Sequence, residues 1–262
     1  MPKSKSLCDI GENGGTVKPR SDVYGRCEEL EQLRQRLARR QSFLFHGPTG
    51  VGKTLLLSIV VPEFKDVLYS CENPTPLALY RNLAKSLLAS CHPSLTKSCP
   101  NRLSSLQTKT AASLKGLVRD ALRNSRHLVV LDHLVRPSHS LADSVRELMV
   151  DCSVPVIAVS RSGHMEDIGF VLPLFPDRSE KFELRDFEAK AAASFASWCT
   201  AQQGLEAENL DQFLEKIVHH SDGNPGAILR MIHMAKMPKY SSGGQIKTAP
   251  LYIDFKLTAL SQ

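Results

Sequence analysis

Hydrophobic residues follow two patterns along the chain, and the pattern changes near residue 186. Before that point, short apolar runs alternate with segments in which apolar residues recur every three or four positions. The runs predict buried strands, and the periodic segments predict amphipathic helices. The predicted strands span residues 42–46, 66–71, 127–132, 154–160 and 181–187. Their alternation with helices predicts a parallel five-stranded sheet sandwiched by helices.

The connections between these strands differ in periodicity. The periodic segments, which predict helices, are residues 28–40, 54–61, 74–88, 110–125 and 143–152. By contrast, residues 92–108 are polar and contain prolines, so they are predicted to form a loop.

From residue 186 onward, three helical segments follow one another without an intervening strand. We therefore predict a small all-helical lid domain over residues 186–237, after an α/β core over residues 21–185. Residues 1–20 are rich in Lys, Ser and Gly and are predicted to be a flexible tail. Residues 238–262 form a C-terminal tail for which no structure is predicted.

The composition changes this picture little. A formal charge of +6 over 262 residues permits a nucleic-acid or acidic partner without requiring one. Seven scattered cysteines without a CxxC pair indicate reduced thiols rather than a disulfide framework. The N-terminus lacks the apolar core of a signal peptide, and no apolar run is long enough to span a bilayer. We expect a cytoplasmic protein that neither spans nor binds a membrane.

A glycine loop between the first strand and the next helix carries the strongest chemical signal. It satisfies the pattern G-x-x-x-x-G-K-[ST], the P-loop or Walker A motif. Glycines let successive N–H groups turn toward phosphate oxygens, Lys53 reaches the β- and γ-phosphates, and the Thr54 hydroxyl binds Mg²⁺. The motif predicts binding of a nucleoside triphosphate by Gly47, Pro48, Thr49, Gly50, Val51, Gly52, Lys53 and Thr54.

An acid on a second strand completes the expected magnesium site. Asp132 ends the apolar run HLVVLD, where the carboxyl edge of the sheet is expected, and would orient the metal's ligands. The base that would activate water is less clear, because His133 follows Asp132 where hydrolytic P-loop proteins usually carry an acid. His133 is a candidate weak base, and Glu72 after the second strand is the other candidate.

These motifs, in this order, resemble the AAA+/STAND branch of P-loop ATPases, which includes origin-recognition and NB-ARC-type ATPases. Residues 23–33 resemble the family's first motif, which places Tyr24, Gly25 and Arg26 beside adenine. In VPVIAVSRSG, Arg161 matches a sensor that responds to the γ-phosphate. In SDGNPGAIL, Pro225 matches the lid motif Gly-x-Pro near adenine or ribose.

The resemblance implies an α/β, three-layer P-loop NTPase fold with a helical lid, and ATP and Mg²⁺ as cofactors. It also implies ATP hydrolysis to ADP and phosphate, with Lys53, Asp132, His133, Glu72 and Arg161 as catalytic candidates. Two departures weaken the analogy. Gly226 stands where AAA+ lids often carry an arginine, with Arg230 as a weak substitute. The sensor or effector repeats usual in STAND proteins are not visible, so a partner, the tails or the ATPase surface would recognise the target.

Two functions fit these expectations. The first is an oligomeric, ATP-dependent switch that acts on duplex DNA, similar to transposition-helper or origin-loading ATPases. A run of basic residues supports it: Arg102, Lys109, Lys115, Arg119, Arg123 and Arg126. The second is an ATP-gated adaptor that binds a protein and hydrolyses weakly or not at all, as His133 and the missing lid arginine suggest. An arginine acting across a subunit interface would come from Arg119, Arg123, Arg126, Arg136 or Arg146.

Overall fold

The computed structural model describes residues 23–99, 103–123 and 125–260, and the predicted flexible tail at residues 1–20 lies outside them. The described chain folds as two compact units. The first is built mainly from Cys27–Gly47 and Lys53–Glu183. The second contains residues 184–260 together with two short segments, Tyr24–Arg26 and Pro48–Gly52. The tip of the glycine loop is thus part of the second unit.

The first unit is organised around a five-stranded sheet in which every strand pairs in parallel with its neighbours. The strands are β1 Phe43–His46, β2 Val67–Cys71, β3 Leu128–Leu134, β4 Val156–Ser160 and β5 Lys181–Glu183. Their spatial order is β2-β3-β4-β1-β5. With helices flanking the sheet, this is the predicted three-layer α/β fold.

Within the described residues, eight α-helices belong to the first unit. They are α1 Cys27–Ala38, α2 Lys53–Val60, α3 Pro76–Ala89, α4 Pro93–Ser98, α5 Leu103–Gln107, α6 Ala111–Leu122, α7 His139–Val150 and α8 Met165–Ile168. Helix α7 begins four residues before its predicted start, because the Ser138 side chain accepts a hydrogen bond from the Leu141 amide and caps the helix there.

The predicted loop at residues 92–108 contains two of these short helices, α4 and α5, so that prediction was wrong. Pro93 begins α4 at a position where its missing N–H is not needed. Leu95 and Leu106 are fully buried in the same hydrophobic cluster as α3 and α6. Two leucines in a polar segment were too weak a periodic signal to reveal these turns.

The register of the sheet determines which residues meet at its carboxyl edge. Strand β4 lies between β1 and β3, with His46 opposite Ser160 and Ala158 opposite Leu131. On the other side of β3, Asp132 lies opposite Cys71. The segments that follow β1, β2, β3 and β4 therefore all emerge at one edge.

The second unit consists mainly of helices. These are α9 Ala189–Gln203, α10 Leu210–Ser221, α11 Pro225–Ala235 and α12 Thr248–Leu260. A two-stranded hairpin of β6 Ser241–Ser242 and β7 Gln245–Ile246 precedes α12, in the tail for which no structure was predicted. Phe213, Ile228, Ile232 and Leu251 are fully buried in one cluster that joins α10, α11 and α12.

Two further observations bear on the expectations from composition. Cys27, Cys91, Cys99, Cys152 and Cys199 are free thiols. Cys71 is disulfide-bonded, so the prediction that all seven cysteines are reduced was wrong at that position. Among the described helices, none combines the length and apolar character that crossing a membrane requires.

Candidate functional site

The glycine loop, residues 47–54, connects β1 directly to α2, as the motif requires. Gly50 and Gly52 have φ angles of +85° and +109°, which residues with a side chain rarely adopt. The Lys53 ammonium donates a hydrogen bond to the Gly47 carbonyl at 2.5 Å. We call Pro48–Gly52 the loop apex, and Lys53 with Thr54 the helical end of the loop.

The helical end is tied to β3 through side chains. The Thr54 hydroxyl donates to Asp132 Oδ2 at 3.0 Å. The Tyr69 hydroxyl donates to the same oxygen, and the His133 amide donates to Asp132 Oδ1 at 2.8 Å. Asp132 is only 1% exposed, so these three donors replace the water that its carboxylate would otherwise bind.

Tyr69 is a member of this cluster that the sequence analysis missed. Its pKa is raised by burial and, to a smaller degree, by the negative charge of Asp132, so the phenol stays protonated and remains a donor. Tyr69 lies two residues before the end of β2, with its side chain directed toward β3. The sequence alone does not give the register of the sheet, and without it this tyrosine cannot be distinguished from an ordinary half-buried strand residue.

The two candidate bases occupy corresponding positions in the sheet, with His133 within β3 and Glu72 directly after β2. Each follows one member of the Cys71–Asp132 pair, and each has an unusual left-handed φ, +55° and +54° respectively. The His133 ring is 60% exposed, with Nε2 3.7 Å from Asp132 Oδ2, and Glu72 is also exposed. Left-handed backbone outside glycine is uncommon and is enriched at functional sites.

Arg161, the proposed sensor, is engaged by a neighbouring carboxylate. Its guanidinium donates to Asp167 Oδ1 from Nε at 3.0 Å and from a terminal nitrogen at 2.7 Å. The hydrogen bond from Arg161, followed by that from Ser162, lowers the pKa of Asp167. Arg161 thus lies just beyond β4, at the edge that also carries Asp132, and its exposed side chain forms an ion pair with Asp167.

The loop apex is held by the start of α11. The Asn224 side-chain amide donates to the Thr49 carbonyl at 3.0 Å and to Asp186 Oδ1 at 2.7 Å. Its oxygen caps α11 by accepting from the Ala227 amide at 3.0 Å. The Gly226 amide donates to the Gly50 carbonyl at 3.0 Å.

At this contact the backbone of α11 packs directly against the backbone of the loop apex. A Cβ on Gly226 would lie 2.8 Å from both Cα and O of Gly50, and a Cβ on Gly50 would lie 2.7 Å from Asn224 Oδ1. The absence of an arginine at position 226 therefore has a steric reason, because no side chain fits there. Arg230 lies one turn on, with its guanidinium over the Phe255 ring at 5.7 Å.

The sequence analysis singled out Pro225, noted Gly226 only for the arginine that it lacks, and gave Asn224 no role. The signal was nonetheless present, since Asn before Pro is a typical cap at the start of a helix. The glycine before it, Gly223, has φ +77° and accepts a hydrogen bond from the Phe187 amide at 2.9 Å. Pro225 itself is buried as the first residue of α11.

The segment expected beside adenine packs on aromatic side chains of the second unit. The Tyr24 ring lies 5.4 Å from Trp198 and 5.7 Å from Phe195, measured between ring centroids. The Arg26 guanidinium stacks over Phe187 at 4.2 Å and donates to the Arg185 carbonyl at 2.6 Å. Arg26 is only 6% exposed, so it stabilises this packing from within.

Several residues of the predicted basic run, and several of the arginines that could act across a subunit interface, form ion pairs or hydrogen bonds within the described structure. Lys115 forms a 2.7 Å ion pair with Glu147, and Arg146 forms a 2.8 Å ion pair with Asp143. Arg136 donates to the Glu166 carbonyl at 3.3 Å. Arg102 of the basic run lies outside the described residues.

Comparison with known proteins identifies the fold. No protein-family profile and no curated protein sequence matches the chain. Among solved structures, a Walker-type ATPase of Pyrococcus abyssi aligns with a TM-score of 0.63 and 14% identity, over 94% of this chain and 76% of that one. The Aeropyrum pernix Orc1 protein, solved in complex with DNA, aligns with a TM-score of 0.61 and 14% identity, over 91% of this chain and 66% of that one. The chain therefore has the fold of the AAA+ P-loop ATPases.

Proposed function

We propose that the protein is an ATP-binding P-loop ATPase that works as a nucleotide-dependent conformational switch. The observation that carries this proposal is the 3.0 Å hydrogen bond between the Thr54 hydroxyl and Asp132 Oδ2. It joins the helical end of the loop to an acid on β3, and hydroxyl and carboxylate oxygens are the ligands that Mg²⁺ prefers.

The loop also fits the phosphate group. Gly52, in the loop apex, has no described heavy atom within 4 Å of the place where a Cβ would project, so the backbone is open on that side. Thr54 and Asp132 would hold Mg²⁺, which when bound neutralises charge on the phosphate oxygens. Lys53 would exchange its bond to the Gly47 carbonyl for phosphate, and the loop amides would orient the phosphates. His133 or Glu72 would accept a proton from water.

Self-association and duplex DNA are the secondary parts of the proposal. DNA is supported by the mildly basic charge and by the likeness to an Orc1 structure solved with DNA. The ion pair of Lys115 with Glu147 removes one cation from the basic run, which lowers the number of phosphates the run could neutralise. We therefore expect DNA affinity to be modest and strongly dependent on salt.

A second function, an ATP-gated adaptor with little turnover, has its own support. Gly226 leaves no room for a lid arginine, and Arg161 is paired with Asp167. Two positive charges that promote hydrolysis in related ATPases are thus missing or engaged. Such a protein would retain ATP and bind its partner only in that state.

The deciding experiment measures ATP binding and ATP turnover with and without duplex DNA. The variants are Lys53→Ala and His133→Ala, with Lys65→Ala as a control for loss of an exposed lysine outside the loop. DNA-stimulated turnover that disappears in Lys53→Ala would support the switch. Tight ATP binding without turnover in either condition would favour the adaptor, and absence of ATP binding in the wild type would refute both.

A further inference from the structure

The contact between α11 and the loop apex fixes two successive peptide groups of the loop. Asn224 binds the carbonyl of Thr49, and the Gly226 amide binds the carbonyl of Gly50. Because a trans peptide is planar, the N–H that follows each carbonyl points the opposite way. The Gly50 and Val51 N–H groups are therefore directed away from α11, and Val51 closes a turn within the loop by donating to the Pro48 carbonyl at 3.3 Å.

This arrangement couples two events through the same atoms. A phosphate that draws in the amides of the loop apex must turn these peptide groups, and any rotation strains or breaks the bonds to Asn224 and Gly226. The backbone atoms at this contact have little room to move, since Gly226 and Gly50 are already closer than a side chain would allow. Asn224 is further fixed by Asp186 and by its role as the cap of α11.

We propose that Asn224 and Gly226 are positioning residues that transmit phosphate occupancy of the loop apex to the helices of the second unit. This inference rests on the proposed function, because it assumes that the loop binds phosphate. It assigns to two backbone carbonyls the sensing role that a lid arginine would fill by touching the γ-phosphate. Helix α11 packs on α9, α10 and α12, so a change at its first turn reaches the whole helical unit.

The chain contains a natural reporter for this coupling. Trp198, its single tryptophan, lies in α9 and packs against Tyr24 and Phe195. Its fluorescence would report rearrangement of the second unit. Magnesium tripolyphosphate is the right probe, because it fills phosphate subsites but has no base to contact Tyr24 directly. A tryptophan response that disappears in Lys53→Ala then originates at the loop.

The experiment titrates the full chain with magnesium tripolyphosphate and records binding heat together with Trp198 emission. Asn224→Ser keeps a capping oxygen but is too short to reach Thr49, and Gly226→Ala pushes α11 off the loop. Because phosphate binding strains or breaks these bonds, their removal should tighten tripolyphosphate binding about fivefold, the equivalent of one net hydrogen bond, and reduce the emission change by about half. Gly116→Ala is the control, since Gly116 lies in α6 with open space around it. Lys53→Ala, which should abolish the heat, shows that the heat arises at the loop.

Hydrogen exchange of the ligand-free protein separates the two ways of failing. If the wild type binds neither tripolyphosphate nor ATP, the proposed function is wrong, and exchange at the Gly226 amide still tests the contact. We expect that exchange to be faster in Asn224→Ser, and an unchanged rate would overturn the proposal. If the wild type binds but both variants match it in affinity and emission, the transmission is refuted while the proposed function stands.

Discussion

The two ends of the phosphate loop are held in different ways. The helical end is bound by side chains, with Thr54 donating to a buried carboxylate that also accepts from Tyr69. The apex is bound by backbone, with the carbonyls of Thr49 and Gly50 accepting from Asn224 and Gly226. The first set of contacts lies within the α/β unit and the second within the helical unit.

This difference matches the two tasks that we propose for the loop. Side-chain oxygens at the helical end form a site of fixed charge suited to a cation. Backbone bonds at the apex carry no net charge, but they respond to rotation of the peptide groups. Under the proposed function, the loop would bind a cation at one end and report phosphate at the other, so each end should fail in its own way when it is altered.

The largest expected effect is on the segment that leads into α11 and holds the apex, from Gly223→Ala. A Cβ at Gly223 would lie 2.0 Å from the Phe187 carbonyl oxygen, and φ is +77°. The clash and the strained backbone together should lower the free energy of unfolding of the helical unit by about 3 kcal/mol or more. Urea denaturation followed by Trp198 emission measures this loss.

Gly204→Ala is the matched control for that change. Gly204 has a similar left-handed φ of +59° but open space around it, so it isolates the backbone strain, about 1–2 kcal/mol. Equal destabilisation in the two variants would mean that the steric contact with Phe187 contributes nothing.

The next largest effect concerns the helical end, through Asp132→Asn. The substitution keeps the shape of the side chain, removes its charge and places an amide donor among three existing donors. We expect the magnesium-dependent gain in ATP affinity to fall at least about 100-fold, or roughly 2.7 kcal/mol. Calorimetric ATP titrations with and without Mg²⁺ measure it, and Asp143→Asn on α7 is the control. A loss below threefold would contradict the assignment of Asp132 to the metal.

The two ends also differ in how far the sequence could predict them. The motif of glycines, lysine and threonine identified the helical end, because each residue type has its own chemical requirement. Asp132 followed from its position after four apolar residues. Tyr69 did not, because its role depends on the register between β2 and β3, which only long-range packing determines.

The apex was harder to foresee for a related reason. Asn224 and Gly226 act through backbone atoms 175 or more positions away along the chain, and glycine has no side chain to signal a function. The central strands β3 and β4 were predictable because their apolar runs are almost fully buried, and β1, β2 and β5 were predictable from short apolar runs that are only partly buried. The helices α4 and α5 were not, because each buries only one turn of a polar segment.

A smaller effect is expected for Tyr69→Phe, which removes one donor from Asp132 without disturbing its charge. Hydrogen-bonded neighbours orient the carboxylates that bind metals, and their loss typically weakens metal affinity 10- to 100-fold. We expect the lower value, about tenfold, because the Thr54 and His133 donors remain. Magnesium titration of the ATP-loaded protein measures this.

Tyr80→Phe provides the comparison for Tyr69→Phe. The Tyr80 hydroxyl also donates to a carboxylate, Glu147, at 3.2 Å, and burial raises its pKa to about 12. Both variants should lose about 1 kcal/mol of stability, but only Tyr69→Phe should change magnesium affinity. Equal magnesium affinity in the two variants would remove Tyr69 from the helical-end site.

The smallest expected effect is that of Arg161→Ala, which tests whether Arg161, in the segment after β4, responds to ATP bound at the loop. In Arg161→Ala the pKa of Asp167 should rise toward its ordinary value, because its first hydrogen-bond donor is lost and Ser162 remains. A lowered carboxylate pKa stabilises the fold fully above the unfolded pKa, near 4, and this stabilisation is lost as the pH falls through the lowered pKa, where the stability difference should vanish. Carboxyl NMR titration measures the midpoint. Arg146→Ala is the control, because Arg146 forms an ion pair with Asp143 away from Asp167.

ATP added to the wild type should raise the midpoint of Asp167 if Arg161 leaves Asp167 for the γ-phosphate. An unchanged midpoint would mean that Arg161 forms only a structural ion pair.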